Sequence, residues 1–294
     1  MALRYLYIFI AVCEENNMTH AAKRMHMTQP SVSQAIREME TYYGVLLFER
    51  LGHRLFITPA GTRLLQYAYQ IVSLSKKAKT AMAHYTHATP IRIGASLTIG
   101  EVFLIELLCY LHQQSPQQQY LSDIHNTAEM EQLLLRDNID IALVEGQIQS
   151  EYLLSQPFMR DELVLVVAPD HPLAAKPALS PDDLQGQSLY VREKGSGTRN
   201  LFISTMEEHH VQFHILGSYN NTEALKKAAQ AGLGAAILSR RLVAKEISAG
   251  SLTAHTIQGI SLARIFKIVY HKDKFISPSL QQVIDACQAC DTWL

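Results

Sequence analysis

From Met18 to Glu40 the apolar positions keep a helical spacing that is interrupted once. Val32, Ile36 and Met39 fall at i, i+4 and i+7, which places them on one buried face. Thr28 is the expected cap of this helix, with Pro30 in the first turn, where its missing N–H costs nothing. Ahead of it Thr19 is the expected N-cap of a shorter helix, in which Ala21 and Ala22 let a neighbour approach closely. Residues 3–16 predict a bracing helix with Leu3, Leu6, Ile10 and Cys13 on one side. The pattern therefore predicts two short helices and a tight corner. At about 100° per residue, Pro30, Gln34 and Arg37 point away from the buried face, with Ser31 and Ser33 on the flanks. A short apolar run and a Gly-His corner follow, then a β-rich return through Arg54-Leu55-Phe56-Ile57.

Thr58-Pro59 opens the longest helical stretch. Leu64, Ala68, Ile71, Ser75, Ala78 and Met82 are spaced 4, 3, 4, 3 and 4, the drift of a coiled-coil seam. A linker helix at 59–87 that pairs two chains is the expectation; a surface helix packed on its own domain has the same periodicity. At Thr89-Pro90 the grammar changes. Apolar runs (IRIGAS, IDIALVEG, ELVLVVAPD, SLYVREKG, GAAILS, ARIFKIVYH) now alternate with amphipathic helices, which predicts a mostly parallel sheet covered on both faces.

A chain of 294 residues, 48% hydrophobic, is long enough for two or three domains with proper cores. Its formal charge of −1 hides an asymmetry: residues 1–88 carry 10 Lys and Arg against 5 Asp and Glu, the rest 16 against 22. The basic part holds the helical hairpin, as a phosphate-binding surface requires. No apolar run approaches a membrane span, no signal-peptide order opens the chain, and the four cysteines are scattered, so a cytoplasmic protein is expected. Cys287 and Cys290 have CxxC spacing without a second ligand pair, and Gly232-Leu233-Gly234 reads as a helix end, not a dinucleotide loop. No metal, cofactor or catalytic set is expected.

On its outer face the second hairpin helix carries the chemistry of base recognition: Gln pairs with adenine, Arg with guanine, Ser with base or phosphate. Thr28, Gln29, Pro30, Ser31, Ser33, Gln34 and Arg37 are the candidate DNA-facing residues, with Arg50 and Arg54 at the two sides of a hairpin wing for phosphates. Taken alone, the hairpin also suits a helical pair with a polar solvent face. A longer run decides between them: Ala21-Ala22, Thr28-Gln29-Pro30-Ser31-Val32-Ser33, Ile36, Glu40, Gly44, Leu47-Phe48-x-Arg50 and Leu55-x-Ile57-Thr58-x-Ala60-Gly61. It resembles the winged helix-turn-helix of LysR-type transcriptional regulators, with Met25, Met39 and Tyr43 where that family usually has Leu.

The resemblance implies an α/β protein in three parts. These are a winged helix-turn-helix at 1–58, a linker and dimerisation helix at 59–88, and an effector-binding domain at 89–294 like periplasmic solute-binding proteins. Its lobe one would span 90–160 and 268–294, its lobe two 161–267. It also implies double-stranded DNA and a small anionic effector as partners, a homodimer through the linker, a homotetramer beyond it, and RNA polymerase as a further candidate partner.

Ligands of open α/β sheets sit at the carboxyl ends of strands. Those ends deliver Ser96 and Thr98, then Thr127, then the stretch Glu193-Lys194-Gly195-Ser196-Gly197-Thr198-Arg199, whose glycines and hydroxyls at a helix start suit a small anion. A strand-to-helix turn with capping hydroxyls would look the same. The stretch resembles the effector loop of a LysR-type branch that answers small anionic metabolites of carbon fixation or sulfur metabolism. The expected effector site is therefore Ser96, Thr98, Thr127, Ser196, Thr198 and Arg199, with Glu145, Asn221 and Thr222 as border candidates. A second reading, an enzyme or carrier acting on an anionic metabolite in the α/β part, is separated from the first by testing residues 90–294 for turnover.

Overall fold

A computed structural model describes residues 2–51, 54–83 and 89–293, without the side chains of Arg50, Leu51, Arg54, Ala81 and Ala83. It forms two compact units, one built on residues 1–89 and one on 90–294 apart from 135–137.

In the first unit α1 (Leu3–Glu15) buries Leu6 and every residue from Ile8 to Val12. That face is wider than one stripe because α2 (Met18–Arg24), α3 (Gln29–Tyr43) and α4 (Pro59–Ala83) all pack on it. Asn17, not Thr19, caps α2: its Oδ1 accepts the N–H groups of Thr19 at 2.8 Å and His20 at 3.1 Å. Thr19 lies inside the first turn, two residues past the capping position. Thr28 Oγ1 accepts the Ser31 N–H at 3.3 Å, and Val32, Ile36 and Met39 are buried. The helix ends at Gly44, whose φ of +70° is costly for any side-chain-bearing residue. The wing is an antiparallel pair, β1 (Phe48–Leu51) and β2 (Arg54–Ile57), with Arg50 opposite Leu55. Glu40 ties it to α3 by accepting the N–H groups of Leu47 at 2.9 Å and Phe48 at 3.2 Å.

The expected seam of α4 is divided by the structure. Ala68 is buried in the core of the head together with Val72, and Leu64 packs partly against it. Ile71, Leu74 and Met82 remain exposed, joined by Tyr67. The free apolar stripe is thus rotated toward Tyr67-Ile71-Leu74-Met82, because the first turns of α4 are already covered by α1. Residues 84–88 of the expected linker lie outside the described residues.

The second unit runs β3 (Ile91–Ser96), α5 (Leu97–Ile99), a π-helical turn (Gly100–Leu104), α6 (Ile105–Gln114), β4 (Tyr120–His125), α7 (Thr127–Leu135) and β5 (Ile141–Val144). It continues through β6 (Leu153–Val167), β7 (Ser188–Arg192), α8 (Gly197–Glu208), β8 (His214–Tyr219), α9 (Thr222–Gln230) and β9 (Ala235–Ser239). It closes with α10 (Ala244–Ser248), β10 (Thr253–His255), β11 (Ala263–His271) and α11 (Pro278–Gln288). The strand order is β4-β3-β5-β11-β6-β9-β7-β8, with β10 beside β6. Two parallel trios, β4-β3-β5 and β8-β7-β9, are joined by the long antiparallel strands β6 and β11, so the sheet is mixed where a mostly parallel one was expected. The edge strand β8, largely exposed, lacks the apolar run that announces the others.

Each trio has its own core. Ile93, Phe103, Leu107, Met159, Phe266 and Ile284 belong to one. Leu163, Leu189, Phe202, Ile237 and Leu262 belong to the other. The change of core therefore falls between Met159 and Leu163 on β6 and between Leu262, just ahead of β11, and Phe266 on it, next to a register slip at Phe266/Lys267. Gly232, at φ +69°, follows the C-cap Ala231 of α9 and turns the chain toward β9.

Candidate functional site

On the head, Thr28, Gln29, Pro30, Ser31, Gln34 and Arg37 are exposed together along the first turns of α3. Ser33 is not among them. It is 8% exposed and lines a small pocket with Ile36 and Arg37, at the border between the buried side and the outer face. The side chains of Arg50 and Arg54 lie outside the described residues. Cys13 packs against the core, its thiol pushed up to about 12 by burial, which fits a small core hydrophobe.

In the second unit the strand ends converge. Ser96, Thr98, Thr127, Ser196 and Thr198 are all buried, at the end of β3 and at the starts of α5, α7 and α8. The two lobes meet here. Ala128 N–H donates to Gly195 O at 3.2 Å, and a Cβ on Gly197 would stand 2.6 Å from Gly146 Cα. Across the cleft the Thr222 hydroxyl donates to the Glu101 carboxylate, 2.6 Å from Oε2, linking the π-helical turn of lobe one to the start of α9. Thr222 thus borders the cleft as a tie between lobes, while Asn221 caps α9 through the Ala224 N–H at 3.0 Å.

The cation of this site is Arg264, not Arg199. Arg264 donates through Nε to Asp161 at 2.7 Å, and through its other nitrogens to Thr198 Oγ1 at 2.8 Å and Thr98 Oγ1 at 3.4 Å. Glu145 Oε1 stands 4.0 Å away and accepts from Thr98 at 3.4 Å. Asp161 is held on its other oxygen by Ser239 at 2.6 Å. Arg199 turns outward instead: it donates to Arg192 O at 2.9 Å and Ser218 Oγ at 3.3 Å and lines an outer groove with Ile203 and Phe213. One position along a helix is a rotation of about 100°, so Thr198 facing inward sends Arg199 out. Lys194 is exposed.

Arg264 and Asp161 escaped the sequence reading because charged residues in strands suggest solvent. Period two held the signal: Arg264 shares a face with Phe266 and Ile268, and Asp161 with Met159 and Leu163, all buried. The two are also direct cross-strand partners at the point where the core changes.

Three buried side-chain oxygens in the cleft have no hydrogen-bond partner: Ser96 Oγ, Thr127 Oγ1 and Glu145 Oε2. Buried polar atoms are normally satisfied: the two hydroxyls can donate to a ligand acceptor, whereas the Glu145 oxygen would accept from a donor. Burial pushes the Glu145 carboxyl up, against the pull of Arg264 and Arg192. Such a group holds its proton more tightly folded than unfolded. It therefore subtracts stability as pH rises past its ordinary 4.5, and the loss is complete above the raised value. Glu145→Gln is expected to raise the melting temperature at pH 8 and to change it little at pH 4.5. Melts at both values check this, and an equal gain at the two would point to a cause other than ionisation.

Among the described residues no cluster of His, Cys, Asp and Glu could hold a metal, and no helix is long and apolar enough to cross a membrane. Cys287 and Cys290 are buried, with thiols raised by desolvation, as expected of packing residues.

Comparison with known proteins covers both units. The profile described as a bacterial regulatory helix-turn-helix protein of the lysR family matches residues 3–62, and that of the LysR substrate binding domain matches 86–291. The chain is 31% identical over 294 residues to the HTH-type transcriptional regulator YeiE of Escherichia coli, covering 98% of this chain and 97% of that one. It is 33% identical over 267 residues to the regulator CysL of Bacillus subtilis, covering 90% and 89%. Among solved structures, the regulatory domain of Synechocystis PCC6803 CcmR in complex with 2-PG superposes with a TM-score of 0.64 at 25% identity, over 68% of this chain and 96% of that one.

Proposed function

The chain belongs to the LysR family of transcriptional regulators, and on that premise we propose that a small oxyanion closed between its two lobes decides how it sits on DNA. The observation that carries this is the set of unpartnered hydroxyls, Ser96 Oγ and Thr127 Oγ1, buried where three helices begin. Helix N-termini and hydroxyls both offer hydrogens to an anion. Thr98, Ser196 and Thr198 complete the ring, and Arg264 supplies the nearby positive charge. The 2-PG bound to CcmR is an anion of this kind and supports the assignment.

An anion held by both lobes favours the closed arrangement, and it shifts the regulator only as far as its affinities for the two arrangements differ. On the DNA side, the exposed row Thr28 to Ser31, Gln34 and Arg37 reads base edges and phosphate, and Arg50 and Arg54 on the wing contact phosphates. The regulator works in the cytoplasm, where its DNA is, and performs no catalysis; turnover of a metabolite by residues 90–294 would overturn that.

The experiment is a thermal-shift panel on the full chain with sulfite, sulfate, phosphate and short carboxylates. An anion at about 100 times its dissociation constant adds about 2.7 kcal/mol to the native state. The shift is expected to vanish in Thr98→Ala, whose hydroxyl lies between Arg264 and Glu145. No shift with any of these anions would reject an oxyanion as the effector.

The exposed stripe Tyr67-Ile71-Leu74-Met82 of α4 is the surface for a homodimer, from which a tetramer and a contact with RNA polymerase extend the same reading. Leu74, 60% exposed, is a suitable probe. Leu74→Glu is expected to weaken the dimer in sedimentation velocity while changing monomer stability by no more than about 0.5 kcal/mol. An unchanged association constant would place the pairing surface elsewhere.

A further inference from the structure

We propose that Glu38 and Tyr5 are positioning residues for Gln34, fixing the polarity of its amide so that α3 reads adenine at one base pair of each half-site. This rests on the assignment of the outer face of α3 to base edges.

Gln34 Nε2 donates to Glu38 Oε1 at 2.9 Å, one helical turn along α3. The hydroxyl of Tyr5, on α1, donates to the other oxygen, Glu38 Oε2, at 2.5 Å. An ionised carboxylate only accepts, so Gln34 must present its NH2 group, not its carbonyl, to Glu38. The second bond, from a different helix, stops the carboxylate from swinging away. Both bonds hold the Glu38 carboxyl below its ordinary range, with the Tyr5 bond the larger influence, and the same contact raises the Tyr5 phenol. Glu38 therefore remains an acceptor at neutral pH.

One N–H and the carbonyl oxygen of Gln34 are left over, in a fixed order. Adenine offers a matching acceptor and donor, N7 and the N6 amino group. Guanine offers two acceptors, N7 and O6, and leaves the Gln34 oxygen facing another oxygen. A glutamine free to rotate could turn its NH2 group to guanine as well. Held as it is, it discriminates. An ordinary surface pair at i, i+4 would need no third partner. Here the partner is 33 positions away in sequence, on a helix that otherwise only braces the reader.

The test uses full-length protein and duplexes selected from a randomised DNA pool. Base preferences are measured for the wild type, Gln34→Ala, Glu38→Ala, Tyr5→Phe and the double variant Gln34→Ala/Glu38→Ala. Gln34→Ala is expected to lose the preference at one base pair per half-site. Glu38→Ala and Tyr5→Phe are expected to lower the adenine-over-guanine ratio at that same base pair by about tenfold, leaving the other positions and the salt dependence as they were. In the Gln34→Ala background, Glu38→Ala should add nothing at that position.

If Glu38→Ala and Tyr5→Phe weaken all sequences alike, or leave the preferences unchanged, the positioning role is overturned while the effect of Gln34→Ala stands by itself. If Gln34→Ala alters no position, the reader assignment and this proposal both fall. Tyr5→Phe keeps the ring in its packing, so the test survives a Glu38 variant that fails to fold.

Discussion

Arg264→Ala is expected to lower the stability of the effector unit by about 3–5 kcal/mol, the usual consequence of leaving buried charges uncompensated. For a domain of this size that is a fall of about 6–20 °C in melting temperature. Arg264 is the only cation bonded to Asp161 among the described residues and stands 4.0 Å from Glu145. Both carboxylates lie in the buried floor of the cleft. Without the guanidinium the Glu145 carboxyl, already pushed up by burial, loses the charge that opposes that push, so the variant should lose stability as pH rises from 5 to 8 more steeply than the wild type. Arg264→Lys keeps the charge but not the fork that reaches Asp161 and Thr198 together, and should fall between the two. Melts of the three proteins at pH 5 and pH 8 decide the matter. A loss that is the same at both values would mean that the guanidinium acts by packing over Phe266, whose ring centroid is 5.5 Å away.

The second large effect is expected from a single methyl group. Gly197 opens α8, where alanine is intrinsically the better helix residue by about 0.8–1.0 kcal/mol at interior positions. If only the helix mattered, Gly197→Ala would be harmless or stabilising. The new Cβ, however, would sit 2.6 Å from Gly146 Cα and 2.7 Å from Gly146 N, backbone atoms of the opposite lobe that cannot rotate aside. The lobes must separate by the difference, which draws the start of α8 away from Thr127, whose Oγ1 would stand 3.1 Å from the same Cβ. Affinity for the anion identified by thermal shift should drop at least tenfold, with about 1–3 kcal/mol lost from overpacking. Isothermal titration measures the first and chemical denaturation the second. Unchanged affinity would show that the ligand does not need this approach of the lobes.

These two sites also mark the limits of what was legible beforehand. The head could be read in much of its detail, since capping and periodicity are local: Thr28 and Pro30 announce where α3 begins, and Val32, Ile36 and Met39 its buried side. The hydroxyls of the cleft were legible for a related reason, since strand ends that run into helices are local punctuation too. What a sequence does not fix is rotation about the helix axis. Arg199 stands in the anticipated loop yet turns outward, Ser33 is largely buried, and the stripe of α4 is displaced because α1 covers Ala68 and Val72. Arg264, Asp161 and Glu145 assemble from strands more than a hundred residues apart in one pairing and less than twenty in another, a closure that only the crossed strands produce. Of the two long strands β6 read as a shorter one, because only its apolar half stands out.

The way the two effector cores share their strands sets a timetable for synthesis. The core of the head uses side chains only up to Val72, so it can form while most of the chain is still being translated. The core of lobe one begins at Ile91 but needs Phe266, Ile268 and then Leu280 to Cys290 of the last helical segment. At about 5–20 residues per second the ribosome takes about 10–40 s to supply the intervening chain. During that interval lobe one lacks its central strand and its closing helix, leaving Ile93, Phe103 and Leu107 without their partners. The stretch from β3 to β5 therefore waits longest for its packing partners, and a truncation between β5 and β11 leaves a finished head attached to a lobe one without its central strand and closing helix.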